Sequence, residues 1–158
     1  MKPSPRKLNL ALFAALPLLT MTARAAAPAA TPDCDRACLR GFITQYLDAM
    51  PTHNPKTLPL SKDVRFTEDA VEMKPGEGLW KNASKIRGYR QDILDVRQGV
   101  AASQVVVEED GMPALFVLRL KVAGKKITEV ETQVTRTQKE GALFAMDSLQ
   151  TAGPAMSA

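Results

Sequence analysis

The chain predicts an α+β domain: one N-terminal helix packed in a strongly curved, mostly antiparallel sheet, with a pocket at the open end of the resulting cone. Three features predict it. A single segment, 34–50, repeats its apolar residues at helical spacing. From Val64 the pattern changes to alternation, and the chain then carries three long β-branched runs separated by the short turns "DGMP" and "AGKK".

The N-terminus reads as an export signal, expected over residues 1–25. Lys2, Arg6 and Lys7 precede the apolar run "LNLALFAALPLLTM", and both Ala23-Arg24-Ala25 and Ala25-Ala26-Ala27 fit a small-residue cleavage site. The apolar run is shorter than the roughly 20 residues that span a bilayer. Of 21 Lys+Arg and 17 Asp+Glu in the chain, the leader holds four bases and no acid, so the mature protein has 17 of each. A neutral chain supplies no concentrated basic face, which sets nucleic acid aside as a partner. The expected destination is periplasmic or extracellular, with no membrane attachment after cleavage.

Residues 26–33 form a Pro/Ala spacer ending in Asp33, a plausible N-cap. The helix follows, with Leu39, Ile43, Tyr46, Leu47 and Met50 on one continuous apolar face and Pro51 as its stop. Cys34 and Cys38, four apart, are expected to form a disulfide in an oxidising compartment, with free thiols as the alternative. Two helical positions at that spacing lie about 6 Å apart, so a bridge would require a frayed first turn. "THNPKTLPLSKD" reads as a loop or a short helical turn. "VRFTE" is a strand with Val64, Phe66 and Glu68 on one face, and "AVEM" is its short partner. The stretch from Trp80 to Gly88 is less regular and could hold a short helix, and "YRQDILDV" is ambiguous. "VAASQVVVEE", "PALFVLRLKV" and "KKITEVETQVTRTQ" form a sequential antiparallel meander. The domain is expected over 34–140, with residues 141–158 as a tail.

The segments "YLDAM" with "HNPKTLPL", "RFTED…GEGLW", "YRQDILD" and "LRLKV…ITEVET" give the chain a resemblance to the nuclear transport factor 2-like superfamily, also called SnoaL-like or cystatin-like cones. The likeness runs from about residue 34 to 138 and is greatest to a subgroup of secreted bacterial and fungal domains. That subgroup commonly has Asn after Thr-Glu, where this chain has Asp69. The resemblance implies the cone fold. It also implies a range of activities, since the superfamily holds ketosteroid isomerases, scytalone dehydratases, epoxide hydrolases and polyketide cyclases beside non-catalytic binding modules. Its enzymes use one or two pocket carboxylates or a histidine, with aromatic walls. Fold alone does not select among them.

Glu68 leads the candidates because its strand parity with Phe66 turns it toward the pocket. A carboxylate in an apolar cavity has a raised pKa and can exchange protons near neutral pH. Asp69 points the other way and reads as turn or surface. His53 is the only histidine, which excludes a multi-histidine metal site and leaves a general acid/base role or a loop hydrogen bond. Asp92 falls in step with Arg90 and Leu94, as a second carboxylate or a member of an ion pair. Tyr46, Phe66, Trp80 and Tyr89 are expected wall residues. Arg119 interrupts an apolar strand and calls for an anionic ligand or an internal pair with Glu129 or Glu131. No metal site or cofactor is expected. "NAS" at 82–84 matches a glycosylation acceptor.

Two functions of different class follow. The first is an exported binding domain for a small, partly apolar molecule. The alternative is a cofactor-independent isomerase, lyase or hydrolase, with Glu68 as base and His53 or Tyr46 as proton partner. A scaffold role, with homodimerisation through the outer sheet face, is a third.

Overall fold

The computed structural model describes residues 33–136 together with Met146 and Leu149. The expected leader and spacer, and most of the expected tail, lie outside the described residues. Helix α1 spans Arg36–Ala49. Its expected apolar stripe, Leu39, Ile43, Tyr46, Leu47 and Met50, is buried, and Phe42 joins it. Each large aliphatic side chain so buried contributes about 2 kcal/mol.

The start of the helix differs from the expectation. Asp35, not Asp33, is the N-cap, and its carboxylate accepts the Cys38 N–H at 2.8 Å. Cys34 therefore precedes the helix, and the N-cap Asp35 beside it is extended. The Cys34–Cys38 disulfide forms across a Cα separation of 5.3 Å, with the helix intact from Arg36. The staple needs no frayed turn, because only one of its cysteines is helical.

After α1 the chain makes two 3-10 turns, Met50–Thr52 and Pro55–Thr57. Six strands follow: β1 Leu60–Glu68, β2 Val71–Glu72, β3 Ala83–Asp95, β4 Val100–Glu109, β5 Met112–Ala123 and β6 Lys126–Arg136. Strand β1 begins four residues before the expected Val64. The irregular stretch begins within a short 3-10 helix, Gly78–Lys81, which covers Trp80 and Lys81, and β3 takes up the rest from Ala83.

The sheet order is β2-β1-β6-β5-β4-β3. β3 to β6 form the antiparallel meander, joined by tight turns at Asp110-Gly111 and Gly124-Lys125, where all four residues have positive φ. β1 is the exception. It lies parallel to β6, with Phe66 opposite Val130 and Glu68 opposite Thr132, which makes the sheet mixed.

The helix packs on β3, β4 and β5. Ala101, Val105 and Val107 of β4 and Ala114, Phe116 and Leu118 of β5 belong to the core cluster beneath it. The opposite parity forms the outer face. There Val106 and Leu115 are covered by Met146, with Tyr89 and Leu149 packed alongside. Met146 and Leu149 thus carry part of the expected tail onto the sheet.

The β1–β2 hairpin closes through Asp69 and Ala70, both left-handed at φ 49° and 65°. Aspartate tolerates this conformation; alanine pays a steric cost for it. Ala70→Gly should raise unfolding stability by about 0.5–1 kcal/mol, read by urea denaturation. Reduction of Cys34–Cys38, which closes a very short loop, should lower it by about 2 kcal/mol in the same measurement with and without dithiothreitol.

Candidate functional site

Three of the expected site residues meet at one place, the turn Gly78–Lys81. Glu68 ends β1 on the face shared with Phe66, as parity predicted, and is 7% exposed. Its carboxylate accepts the Leu79 N–H, with Oε1 at 3.2 Å and Oε2 at 3.1 Å. Tyr46, from the middle of α1, is wholly buried, and its hydroxyl accepts the Trp80 Nε1–H at 2.8 Å. The two rings meet edge to face, with centroids 5.2 Å apart and planes at 85°. His53, left-handed at φ 54°, places Nδ1 2.5 Å from the Trp80 carbonyl oxygen. A carbonyl only accepts, so Nδ1 carries a proton and donates it to Trp80.

Close packing explains the sequence of the turn. Gly78 has φ 63°, and a Cβ there would lie 2.6 Å from Glu68 Oε1. Only glycine lets the backbone approach the carboxylate this closely.

Burial dominates the electrostatics. Desolvation pushes the Glu68 pKa up, the Leu79 N–H opposes it, Asp69 and Glu109 raise it further, and Arg136 lowers it. The Tyr46 hydroxyl is pushed well above the usual phenol range, chiefly by burial, with the Glu68 charge adding to the rise. Both groups therefore favour their neutral forms more than they would in water.

The other expected residues lie elsewhere. Phe66 and Trp80 are packed into the hydrophobic core beside Tyr46. Asp92 faces the helix in step with Arg90 and Leu94. Its carboxylate takes a bidentate bond from Arg90 at 2.9 and 2.9 Å and the Ser103 hydroxyl at 2.8 Å, with Arg40 of α1 at 3.6 Å. Arg90 also reaches the Thr44 hydroxyl at 2.9 Å. Tyr89 lies on the outer face, where its hydroxyl donates to Gln104 or Gln91. Arg119 also lies on the outer face, against Glu129 at 3.1 Å and Glu131 at 3.3 Å. Asp69 sits in the hairpin turn as expected, and its carboxylate accepts the Val134 N–H at 3.0 Å. Among the described residues, no group of three or more His, Cys, Asp or Glu is arranged to hold a metal ion, and no helix is long and apolar enough to cross a membrane.

Sequence reasoning missed Ser103 and Thr132, both buried polar residues on the core face. The signal was available: each interrupts an apolar parity set, Ala101-Ser103-Val105 and Val130-Thr132-Val134. Ser103 serves Asp92, and Thr132 donates to the Thr67 carbonyl at 3.1 Å, tying β6 to β1.

No protein-family model matches the sequence, and no curated protein does. Solved structures do. A de novo designed protein with a curved β-sheet aligns at TM-score 0.54 with 21% identity, over 66% of this chain and 91% of that one. AclR from Streptomyces galilaeus aligns at 0.52 with 13% identity, over 65% and 81%. A protein of unknown function from Burkholderia xenovorans, described as NTF-2-like, aligns at 0.48 with 11% identity, over 62% and 83%. The chain shares its fold with the designed protein and with AclR. At these identities the likeness concerns the fold alone. The grouping of Glu68, Tyr46 and Trp80 around one turn is read from this chain's own geometry.

The raised Glu68 pKa has a direct consequence. A carboxyl that binds its proton more tightly when folded stabilises the fold most below the ordinary carboxylate value of about 4.3. That contribution is lost as pH rises through the folded value. Glu68→Gln keeps an acceptor for Leu79 but cannot ionise. The stability difference between variant and wild type should therefore grow in the variant's favour from about pH 4 toward neutrality, as measured by urea denaturation at a series of pH values.

Proposed function

We propose that this chain is an exported domain of nuclear transport factor 2-like fold that binds a small, partly apolar molecule. One observation carries the reading: a carboxyl and a phenol, those of Glu68 and Tyr46, are more than nine-tenths buried against the hydrophobic core. Placing a carboxyl and a phenol there carries a desolvation cost that their hydrogen bonds to Leu79 and Trp80 offset in part. Apolar surroundings with a few directed polar atoms are the usual build of a small-molecule site. The leader-like N-terminus supports export, and the Cys34–Cys38 disulfide suits an oxidising compartment.

Proteins of this fold include binding proteins, isomerases and cyclases. Acid/base catalysis has less support here. Among the described residues, Glu68 bonds to Leu79, His53 to Trp80, and Asp92 to Arg90 and Ser103, and none of the three bonds to another. Asp92 is already engaged by two guanidinium groups, those of Arg90 and Arg40.

Native mass spectrometry of the full chain, recovered after export, tests the reading. We expect a polypeptide carrying one additional small molecule that is released on denaturation. Bare polypeptide from several expression hosts, with no binding in a screen of small aromatic and alicyclic compounds, would overturn it.

A further inference from the structure

The Trp80 indole is the largest fully buried side chain of the described residues, at 1% exposure, yet it is carried by a four-residue 3-10 turn and not by the helix or the sheet. Two glycines with positive φ lie at its start: Gly76, two residues before it, at φ 93°, and Gly78, its first residue, at φ 63°. The bonds to Glu68, Tyr46 and His53 tie it to β1, α1 and the loop after α1. Each of those bonds joins a turn donor or acceptor to a group on a regular element or its flank, so each could be remade with water or with another molecule once the turn moved.

The slot itself has a definite chemistry. Tyr46 presents a ring edge-to-face to a flat aromatic, and its hydroxyl receives an N–H from that aromatic's rim. Displacement of Leu79 would free the Glu68 carboxyl as a second acceptor beside it. An aromatic of indole size with an N–H or O–H on its rim would restore the burial and the hydrogen bond that Trp80 makes.

We propose that Trp80 is a resident stand-in for the ligand. In this proposal residues 76–82 pivot at Gly76 and Gly78, Trp80 leaves its slot, and a donor-bearing aromatic molecule takes its place against Tyr46. The inference rests on the binding reading above and names its ligand class. Exchange of one buried ring for another is nearly balanced in apolar area, so affinity is set by the donor bond and by the cost of opening.

The chain has one tryptophan, so full-length protein labelled with 5-fluorotryptophan gives a single fluorine resonance that reports the slot. Indole and indene, which lacks the N–H, are titrated in parallel. We expect indole to move the resonance to a solvent-exposed position with a solvent isotope shift, and indene to bind about tenfold more weakly, the worth of one hydrogen bond. Tyr46→Phe should abolish that preference. Gly78→Ala, which cannot seat against the Glu68 carboxylate, should bind indole more tightly than wild type, because the opening cost is already met. If Gly78→Ala fails to fold, the wild-type and Tyr46→Phe titrations decide. A resonance that stays buried while indole saturates the protein overturns the proposal, as does equal affinity for indole and indene. Ligand found by mass spectrometry with Trp80 still buried leaves the binding reading standing and removes this one.

Discussion

The hydrogen bond from the Trp80 indole to the Tyr46 hydroxyl is the constraint on which the rest of the arrangement depends. It joins a helical residue to a turn residue 34 positions later, inside the core, where neither polar atom can turn to water. Satisfying that pair seats the turn Gly78–Lys81. Seating the turn brings the Leu79 N–H to the Glu68 carboxylate, and this requires glycine at 78. The same seating delivers the Trp80 carbonyl to His53. Among the described residues, no buried side-chain polar atom is left without a partner. That is the expected state of a core in which an orphaned polar group would cost more than a lost contact.

The two faces of the sheet manage charge in different ways. On the outer face, Arg119 is held between Glu129 and Glu131, and Arg65 approaches Glu131 at 3.9 Å, all of them partly exposed. Such pairs contribute little each, because water screens them. On the helix side, Asp92 is largely shielded, and its partners come from α1, β3 and β4. A carboxylate shared among three elements fixes their relative placement more than it adds to net stability, since the loss of one partner would strand the others. The two carboxylates on the core side thus do different work: Asp92 is locked by cations, while Glu68 is held by a single backbone donor.

Much of this was legible from local pattern. The helix stripe, the inward parity of Phe66 and Glu68, the two glycine turns of the meander and the pairing of Arg119 all follow from periodicities of 3.6 and 2.0 acting over a few residues. The errors were also local. The N-cap moved from Asp33 to Asp35 because either aspartate suits that position, and only the backbone entry angle chooses between them. Tyr89 and Asp92 stand on opposite faces of β3, and parity could separate them but could not say which face met the helix.

The sequence by itself determined the α+β class with one helix on a mostly antiparallel sheet, the helix face, the strand alternation and the isolation of Glu68 from Asp69. These depend on near neighbours and on which side chains prefer to leave water. Only the tertiary structure decided that β1 inserts parallel to β6, that Ser103 supports Asp92, and that Glu68, Tyr46 and His53 converge on one turn. Those outcomes rest on register and packing between segments far apart in the chain. No periodicity encodes them, because they are settled by which of several locally acceptable pairings leaves no buried polar atom alone.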